Sequence, residues 1–349
     1  MGNCDENRER LHYPSLGRRE LLACTAAFGA TFLARQGLLA SESADEPKPG
    51  ALRGPTDRRP APFKKSINMW AFPYPASMTL KECFALAKDA GFDGIEINFD
   101  LRGEFSAEST DRDLAAVGEL ARETGLPISG VCSFLFWPFP LTHPDRERRE
   151  TALQLTRKMI RAAKLVGTDN LLVVPGAADA AWVDDFVPVP GDVCRQRACE
   201  AVRQLLPEAA EAGVYLNIEN IFVNGFLFSP EETVAFVDSF QHPNCRIHFD
   251  TGNILQYQYP EFWIPILGKR IQNIHFKEWD KRTHEFNLHC FRPLLDGTTN
   301  WPAVVDALDK IGYRGYVTFE YFHPYTHYPE ALIYQTSDAM DRILGRTPA

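Results

Sequence analysis

The sequence predicts an α/β fold, a single-domain (β/α)8 TIM barrel preceded by a signal peptide and a flexible linker. Three observations predict it. From Ser66 to Glu320, short strand-like runs alternate with helical stretches, eight times in all, which is the size and rhythm of such a barrel. Glycines at positions 91, 125, 167, 213 and 312 close helical stretches, as a left-handed C-terminal cap requires. The last four strand-like runs each end in a carboxylate or imidazole, and barrels keep their chemistry at that end of their strands. A doubly wound open sheet is the alternative, but no G-x-G-x-x-G follows the first strand.

Ser66-Ile67-Asn68-Met69-Trp70 reads as the first strand. Thr79-Leu80-Lys81-Glu82 is a capping box opening a helix through Ala90. Gly94–Phe99 is the second strand, a helix runs from about Asp111 to Thr124, and Ile128–Ser133 is the third strand. A long helix from about Pro144 to Val166 precedes the fourth strand, Asn170–Pro175. The helix around Cys194 to Ala212 leads to the fifth, Val214–Asn220. Ser229-Pro230-Glu231-Glu232 repeats the capping box with Pro at the first helical position. The sixth strand runs from Arg246 into Asp250-Thr251-Gly252-Asn253, and the seventh from Ile271 into His275-Phe276-Lys277-Glu278. A helix beginning at Asn300-Trp301-Pro302 precedes the eighth, Tyr316–Glu320.

The N-terminus stands apart from this rhythm. Arg18-Arg19 precedes a weakly apolar run from Leu21 to Ala34, the pattern of a Tat-type export signal over residues 1–40. The run is too short to span a bilayer as a mature helix, so no stable membrane insertion is expected after processing. Residues 41–62 are rich in Pro, Glu and Arg without periodicity and read as a disordered linker, leaving 63–349 as the barrel. Export places the mature protein in the periplasm or another extracytoplasmic space.

The 45% hydrophobic and 24% charged composition fits a soluble globular chain. The net charge is −9, and without residues 1–40 it becomes −10, from 32 basic and 42 acidic side chains. With no Lys/Arg run to offset it, this balance argues against nucleic acid as a partner. Cys83, Cys132, Cys194, Cys199, Cys245 and Cys290 form no C-x-x-C and are expected to be buried free thiols.

Strand alternation assigns the inward faces. Asn217 and Glu219 share a face on the fifth strand, and His248 and Asp250 on the sixth. Asn273, His275 and Lys277 share one on the seventh, and Thr318 and Glu320 on the eighth. Four consecutive strands thus deliver Glu219, Asp250, His275 and Glu320 to one mouth. Three crowded carboxylates repel one another unless a cation is present. Oxygen-rich ligation with one nitrogen suits one divalent ion, Mn²⁺, Mg²⁺ or Co²⁺ before Zn²⁺.

The chain resembles the sugar phosphate isomerase/epimerase family, the xylose isomerase-like TIM barrels that include ketose 3-epimerases, hydroxypyruvate isomerases and inosose dehydratases. The matching segments are Gly91–Glu96, Ile218-Glu219-Asn220, Phe249–Asn253, Ile274–Glu278, Gly312–Tyr316 and Phe319-Glu320. The resemblance implies that Glu219, Asp250, His275 and Glu320 bind the metal and that Glu219 and Glu320 also move protons. The chemistry it implies is proton abstraction beside a carbonyl, with a metal stabilising the enediolate. Two positions depart from the ketose 3-epimerase pattern, with Asn253 in place of a His and Gly225 near the place of a second Glu, while Lys281 or Arg282 could match an Arg that follows the strand-seven His. The substrate contacts of those enzymes therefore do not carry over.

Around the mouth, Glu96, Asn253, Lys277 and Trp137 are the candidate substrate contacts. The aromatic loop Phe134–Pro140 could stack on a sugar, close a lid or pack against a second copy in a homo-oligomer. The leading function is thus a metal-dependent isomerase or epimerase acting on a small carbohydrate. A lyase or dehydratase on a keto-sugar or inosose, using the same metal site, is the alternative. A non-catalytic carbohydrate-binding protein is a third reading. An apurinic endonuclease would need further inward histidines and a basic surface, which the sequence lacks.

Overall fold

The computed structural model describes residues 60–347, apart from 181–182 and 223–224. The expected Tat-type leader, and all but the last three residues of the expected linker, lie outside these residues. The described residues belong to one compact unit. Ala61, assigned to the linker from sequence, is buried, and its N–H donates to Leu344 O at 2.9 Å. Packing against the barrel thus includes a residue assigned to the linker.

Eight parallel strands close into a barrel: β1 (Lys64–Asn68), β2 (Gly94–Asn98), β3 (Ile128–Cys132), β4 (Asn170–Val173), β5 (Tyr215–Glu219), β6 (Cys245–Asp250), β7 (Ile271–Phe276) and β8 (Tyr316–Phe319). Neighbours pair in chain order and β8 closes on β1. One helix follows each strand: α1 (Leu80–Asp89), α2 (Asp111–Thr124), α3 (Arg146–Val166), α4 (Gly191–Ala212), α5 (Pro230–Asp238), α6 (Pro260–Leu267), α7 (Trp301–Lys310) and α8 (Pro329–Ile343).

Local chemistry explains the boundaries. Both capping boxes form, at Thr79/Glu82 and Ser229/Glu232, and a third joins Thr110 to Asp113. Gly125 and Gly167 end α2 and α3 in the left-handed conformation, at φ 64° and 86°, which an L side chain would strain. The first strand stops at Asn68 rather than Trp70. There the Asn68 carboxamide accepts from the Trp70 N–H at 2.8 Å and starts a 3-10 turn over Met69–Ala71.

The strand alternation holds around the barrel. Ile67, Ile97, Ile218, Phe249, Phe276 and Phe319 point outward and are fully buried against the helices. Ser66, Asn68, Glu96, Asn217, His248, Asn273 and Thr318 are buried as well, and they fall on the opposite, inward faces. The axis is therefore lined with polar groups. A two-stranded hairpin, Glu278–Trp279 against Phe291–Arg292, rises from the end of β7. All six cysteines among the described residues are free, five of them buried.

Candidate metal centre at the mouth of the barrel

Pairing register brings the strand ends together. Glu219 lies opposite His248, and Asp250 opposite His275. On the other side of β7, Thr318 lies opposite His275, two residues before Glu320. Glu219, Asp250, His275 and Glu320 each offer a ligand atom, all within 4.8 Å of one another, and all four side chains are buried. His275 Nδ1 faces the three carboxylates, 3.5 Å from Glu320 Oε1, 3.7 Å from Asp250 Oδ2 and 3.8 Å from Glu219 Oε1.

The Asp250-Thr251-Gly252-Asn253 turn is built to hold this arrangement. Asp250 Oδ1 accepts from the N–H groups of Gly252 and Asn253 at 2.7 and 2.8 Å, which turns Oδ2 toward His275. Thr251 Oγ1 accepts from Lys277 N–H at 2.9 Å and donates to the backbone of β7, so β6 and β7 are tied together just beyond the ladder. A Cβ on Gly252 would lie 2.7 Å from Lys277 Cγ and 3.0 Å from its carbonyl oxygen. Asn220 makes the matching tie between β5 and β6. Its carboxamide donates to Asp250 O and accepts from Asp250 N–H, both at 2.9 Å.

Three residues read as substrate contacts also make contacts within the protein. Glu96 has no exposed surface, and its Oε2 lies 2.6 Å from His275 Nε2 and accepts from Asn68 Nδ2 at 2.7 Å. It stands behind the imidazole, because its place in the middle of β2 puts it deeper in the barrel than the strand ends. Asn253 donates to Asn220 O at 3.0 Å and to Glu219 Oε1 at 3.4 Å, and accepts from Lys277 Nζ at 3.0 Å. Lys277 Nζ lies 2.6 Å from Glu320 Oε2 and 3.4 Å from Asp250 Oδ2. The rings of Phe291 and Phe322 flank the ammonium, with centroids 4.3 and 4.5 Å away. Trp137, just past the 3-10 turn Phe134–Phe136, packs half-buried against the core. The sequence reading missed the roles of Asn220 and Glu278, although a polar residue directly after each strand-end motif was the available signal.

Above the cluster, aromatic rings from separate loops meet. Phe222 contacts Trp279, Phe286 and Phe291, and Trp70 contacts Phe322. Such rings offer flat apolar faces beside a polar centre.

The electrostatics separate the two glutamates. Burial, followed by the charges of Glu320 and Asp250, pushes the Glu219 carboxyl well above its ordinary range. For Glu320 burial opposes ionisation, but Lys277 and His275 outweigh it and bring the carboxyl down to about 2. Burial likewise disfavours the His275 cation, yet Glu96 and Glu320 hold the ring well above the ordinary histidine value. His248 goes the other way, kept neutral by burial and by the adjacent His275. Two carboxyls driven in opposite directions are the usual mark of an acid and a base.

The donor set fits a divalent cation. Asp250 Oδ2, Glu320 Oε2 and His275 Nδ1 are buried without a hydrogen-bond partner, and such groups call for a compensating ion or water. Ligand bonds of about 2.0–2.2 Å put two ligands of one ion up to about 4.4 Å apart, and the distances around His275 Nδ1 lie inside that span.

Fold and centre together define a (β/α)8 barrel with an oxygen-rich candidate metal site at its C-terminal mouth. Residues 84–343 match the family described as xylose isomerase-like TIM barrel, and the chain belongs to that family. SgbU of Escherichia coli (strain K12), provisionally named an L-ribulose-5-phosphate 3-epimerase, is 27% identical over 67% of this chain and 80% of its own length. The L-ribulose-5-phosphate 3-epimerase UlaE of Escherichia coli O1:K1 / APEC is 26% identical over 52% of this chain. The match spans 61% of that enzyme. Among solved structures, an L-ribulose 3-epimerase superposes with a TM-score of 0.67 at 19% identity, covering 81% of this chain and 94% of its own. At that identity the likeness concerns the fold.

Proposed function

We propose that the protein is a divalent-metal-dependent sugar epimerase, removing and returning a proton at a carbon next to a carbonyl. The observation that carries this reading is the cluster of three carboxylates and one imidazole on four consecutive barrel strands, with all four ligand atoms within 4.8 Å of one another. The names of the relatives given above, which are 3-epimerases, support the same class. A divalent ion held there, Mn²⁺, Mg²⁺ or Co²⁺ before Zn²⁺, supplies Lewis-acid polarisation of the sugar's carbonyl and neighbouring hydroxyl.

The chain's own residues do the proton work. Glu219 and Glu320 sit on β5 and β8, with Asp250 and His275 on the strands between them. They can therefore approach a bound sugar from two sides. With the cation bound, Glu219 and Glu320 are the two carboxylates placed to remove a proton on one face of the sugar and return one on the other, Glu320 with the Lys277 ammonium 2.6 Å away. Of the aromatic rings above, the exposed Phe286 offers a stacking face, whereas Trp279 and Phe291 are buried, and Trp137 remains a candidate contact. We further propose a non-phosphorylated sugar as substrate, because no Gly-rich phosphate loop is present in the sequence. The twin-arginine leader would also carry the barrel away from the cytoplasm. Arg18→Lys with Arg19→Lys should leave a leader-fused reporter in the cytoplasm, and unchanged export would remove that part of the proposal.

The test is solvent-deuterium incorporation by the full chain with Mn²⁺ across a ketose panel that includes L-ribulose and its 5-phosphate. The expected result is deuterium beside the carbonyl with inversion at that carbon, and faster turnover of the free sugar. A lyase or dehydratase on the same centre is the second reading, favoured by the Lys277 ammonium beside Glu320, which suits proton delivery to a departing hydroxyl. Elimination product without exchange would select it. Equal sugar binding by wild type and Glu320→Gln, with no turnover by either, would leave a binding protein.

A further inference from the structure

We propose that Glu96 is a positioning residue that fixes which nitrogen His275 presents to the cation, and that Asn68 holds Glu96 in place. The inference rests on the metal-centre reading above. His275 has two ring nitrogens with opposite surroundings. Nε2 meets Glu96 Oε2 at 2.6 Å, whereas Nδ1 faces the three carboxylates of the centre and has no hydrogen-bond partner. A carboxylate can only accept, so the contact places the ring proton on Nε2 and leaves the Nδ1 lone pair for the ion.

The support behind Glu96 is specific. Asn68 Nδ2 donates to the same Oε2 at 2.7 Å, and the Asn68 carboxamide oxygen is pinned by Trp70 N–H at 2.8 Å. Both Glu96 and Asn68 are fully buried. On the next strand Gly130 leaves the carboxylate its room, since a Cβ there would come within 3.1 Å of Glu96 Oε1. From below, the His248 ring meets His275 edge-on with centroids 4.0 Å apart, which blocks rotation of the imidazole. A chain Asn68–Glu96–His275 thus runs from β1 through β2 to β7.

The same atoms could be read as a second cation site, because Glu96, His248 and His275 also offer ligand atoms close together. A cation there would need Nε2 without its proton, and the 2.6 Å contact with Glu96 argues that the proton is present. The inference therefore requires one ion per chain.

Titration of the full-length protein with Mn²⁺ by calorimetry tests this, with the melting temperature of each metal-free variant as a control. Co²⁺ absorption spectra report the geometry of the loaded centre. We expect one ion bound by wild type. Glu96→Gln, which keeps an acceptor but not the charge, should weaken Mn²⁺ about 10-fold, and Glu96→Ala about 100-fold. Asn68→Ala should fall below both in effect, and the Co²⁺ spectrum should change in Glu96→Ala. Glu96 variants that bind within twofold of wild type would overturn the inference. So would two ions per chain, or affinity losses that only follow the loss of metal-free melting temperature. A wild type that binds no Mn²⁺ or Co²⁺ would overturn the metal-centre reading and this inference with it.

Discussion

Lys277 Nζ lies 2.6 Å from Glu320 Oε2 with both side chains 4% exposed, a buried ion pair inside the candidate metal centre. Charge and proximity both tie the ammonium to this carboxylate, and Asp250 Oδ2 lies 3.4 Å from the same Nζ. The ammonium balances carboxylates that a divalent ion would also balance. Burial disfavours the charged lysine, but Asp250 and Glu320 together keep its affinity for the proton above the ordinary lysine value.

Lys277→Met should therefore destabilise the metal-free protein by about 3–5 kcal/mol, the usual effect of removing one partner of a buried pair. Saturating Mn²⁺ should recover part of that loss by supplying positive charge to the same carboxylates. Urea denaturation with and without Mn²⁺ measures both, and an equal loss in the two conditions would break the link.

Glu320→Gln should lower kcat about 10²–10⁴-fold, the range for losing a general base. Deuterium exchange should fall in parallel. If the variant exchanges at the wild-type rate, Glu320 is a ligand or a neighbour and not the base.

Glu219 gives a pH signature. Its folded value is raised well above the ordinary 4.5, so its contribution to stability is full below about pH 4.5 and is lost as pH rises through the folded value. Without metal, Glu219→Gln should gain on wild type in melting temperature as pH rises above the ordinary carboxyl value and through the raised folded one. The variant should also lose most of the stabilisation that Mn²⁺ gives wild type. A melting-temperature difference that does not vary with pH would contradict the assignment.

Glu278 secures the loop that follows β7. Its carboxylate accepts from Trp301 Nε1 at 2.6 Å, from Thr299 N–H at 3.0 Å, from Leu295 N–H at 3.2 Å and from the Thr299 hydroxyl. Glu278→Ala would strand several buried donors at about 1–3 kcal/mol each. It should lower stability by more than about 3 kcal/mol and expose residues 280–297 to proteolysis. Gly297→Ala should act on the same latch, because its Cβ would fall 2.4 Å from Glu278 Oε1. Urea midpoints and the rate of nicking check both.

Several features were legible in sequence because they are local or periodic. Strand alternation assigned Glu219, Asp250, His275 and Glu320 to inward faces at strand ends, since a period of two leaves only two sides to choose from. The capping boxes at Thr79 and Ser229 and the glycines at 125 and 167 marked helix ends through backbone chemistry a few residues long. Two helices start at a proline with no side-chain N-cap. α6 carries an internal proline at Pro265 and little polar surface, and α8 begins at Pro329 after a residue, Tyr328, in left-handed backbone without a side-chain cap.

Tertiary structure decided what periodicity leaves open, namely depth along the axis and the partner met across it. Glu96 and Glu219 share an inward face in sequence. Yet the mid-strand place of Glu96 sets it behind His275, 179 positions away along the chain. Lys277 and Asn253 were likewise assigned to the mouth, but only the closed barrel shows their polar atoms engaged by Glu320, Glu219 and Asn220. The sequence alone determined which residues point inward, because that depends on one strand at a time. Which of them support the centre and which form it depends on the stagger of eight strands, and only the closed barrel sets that.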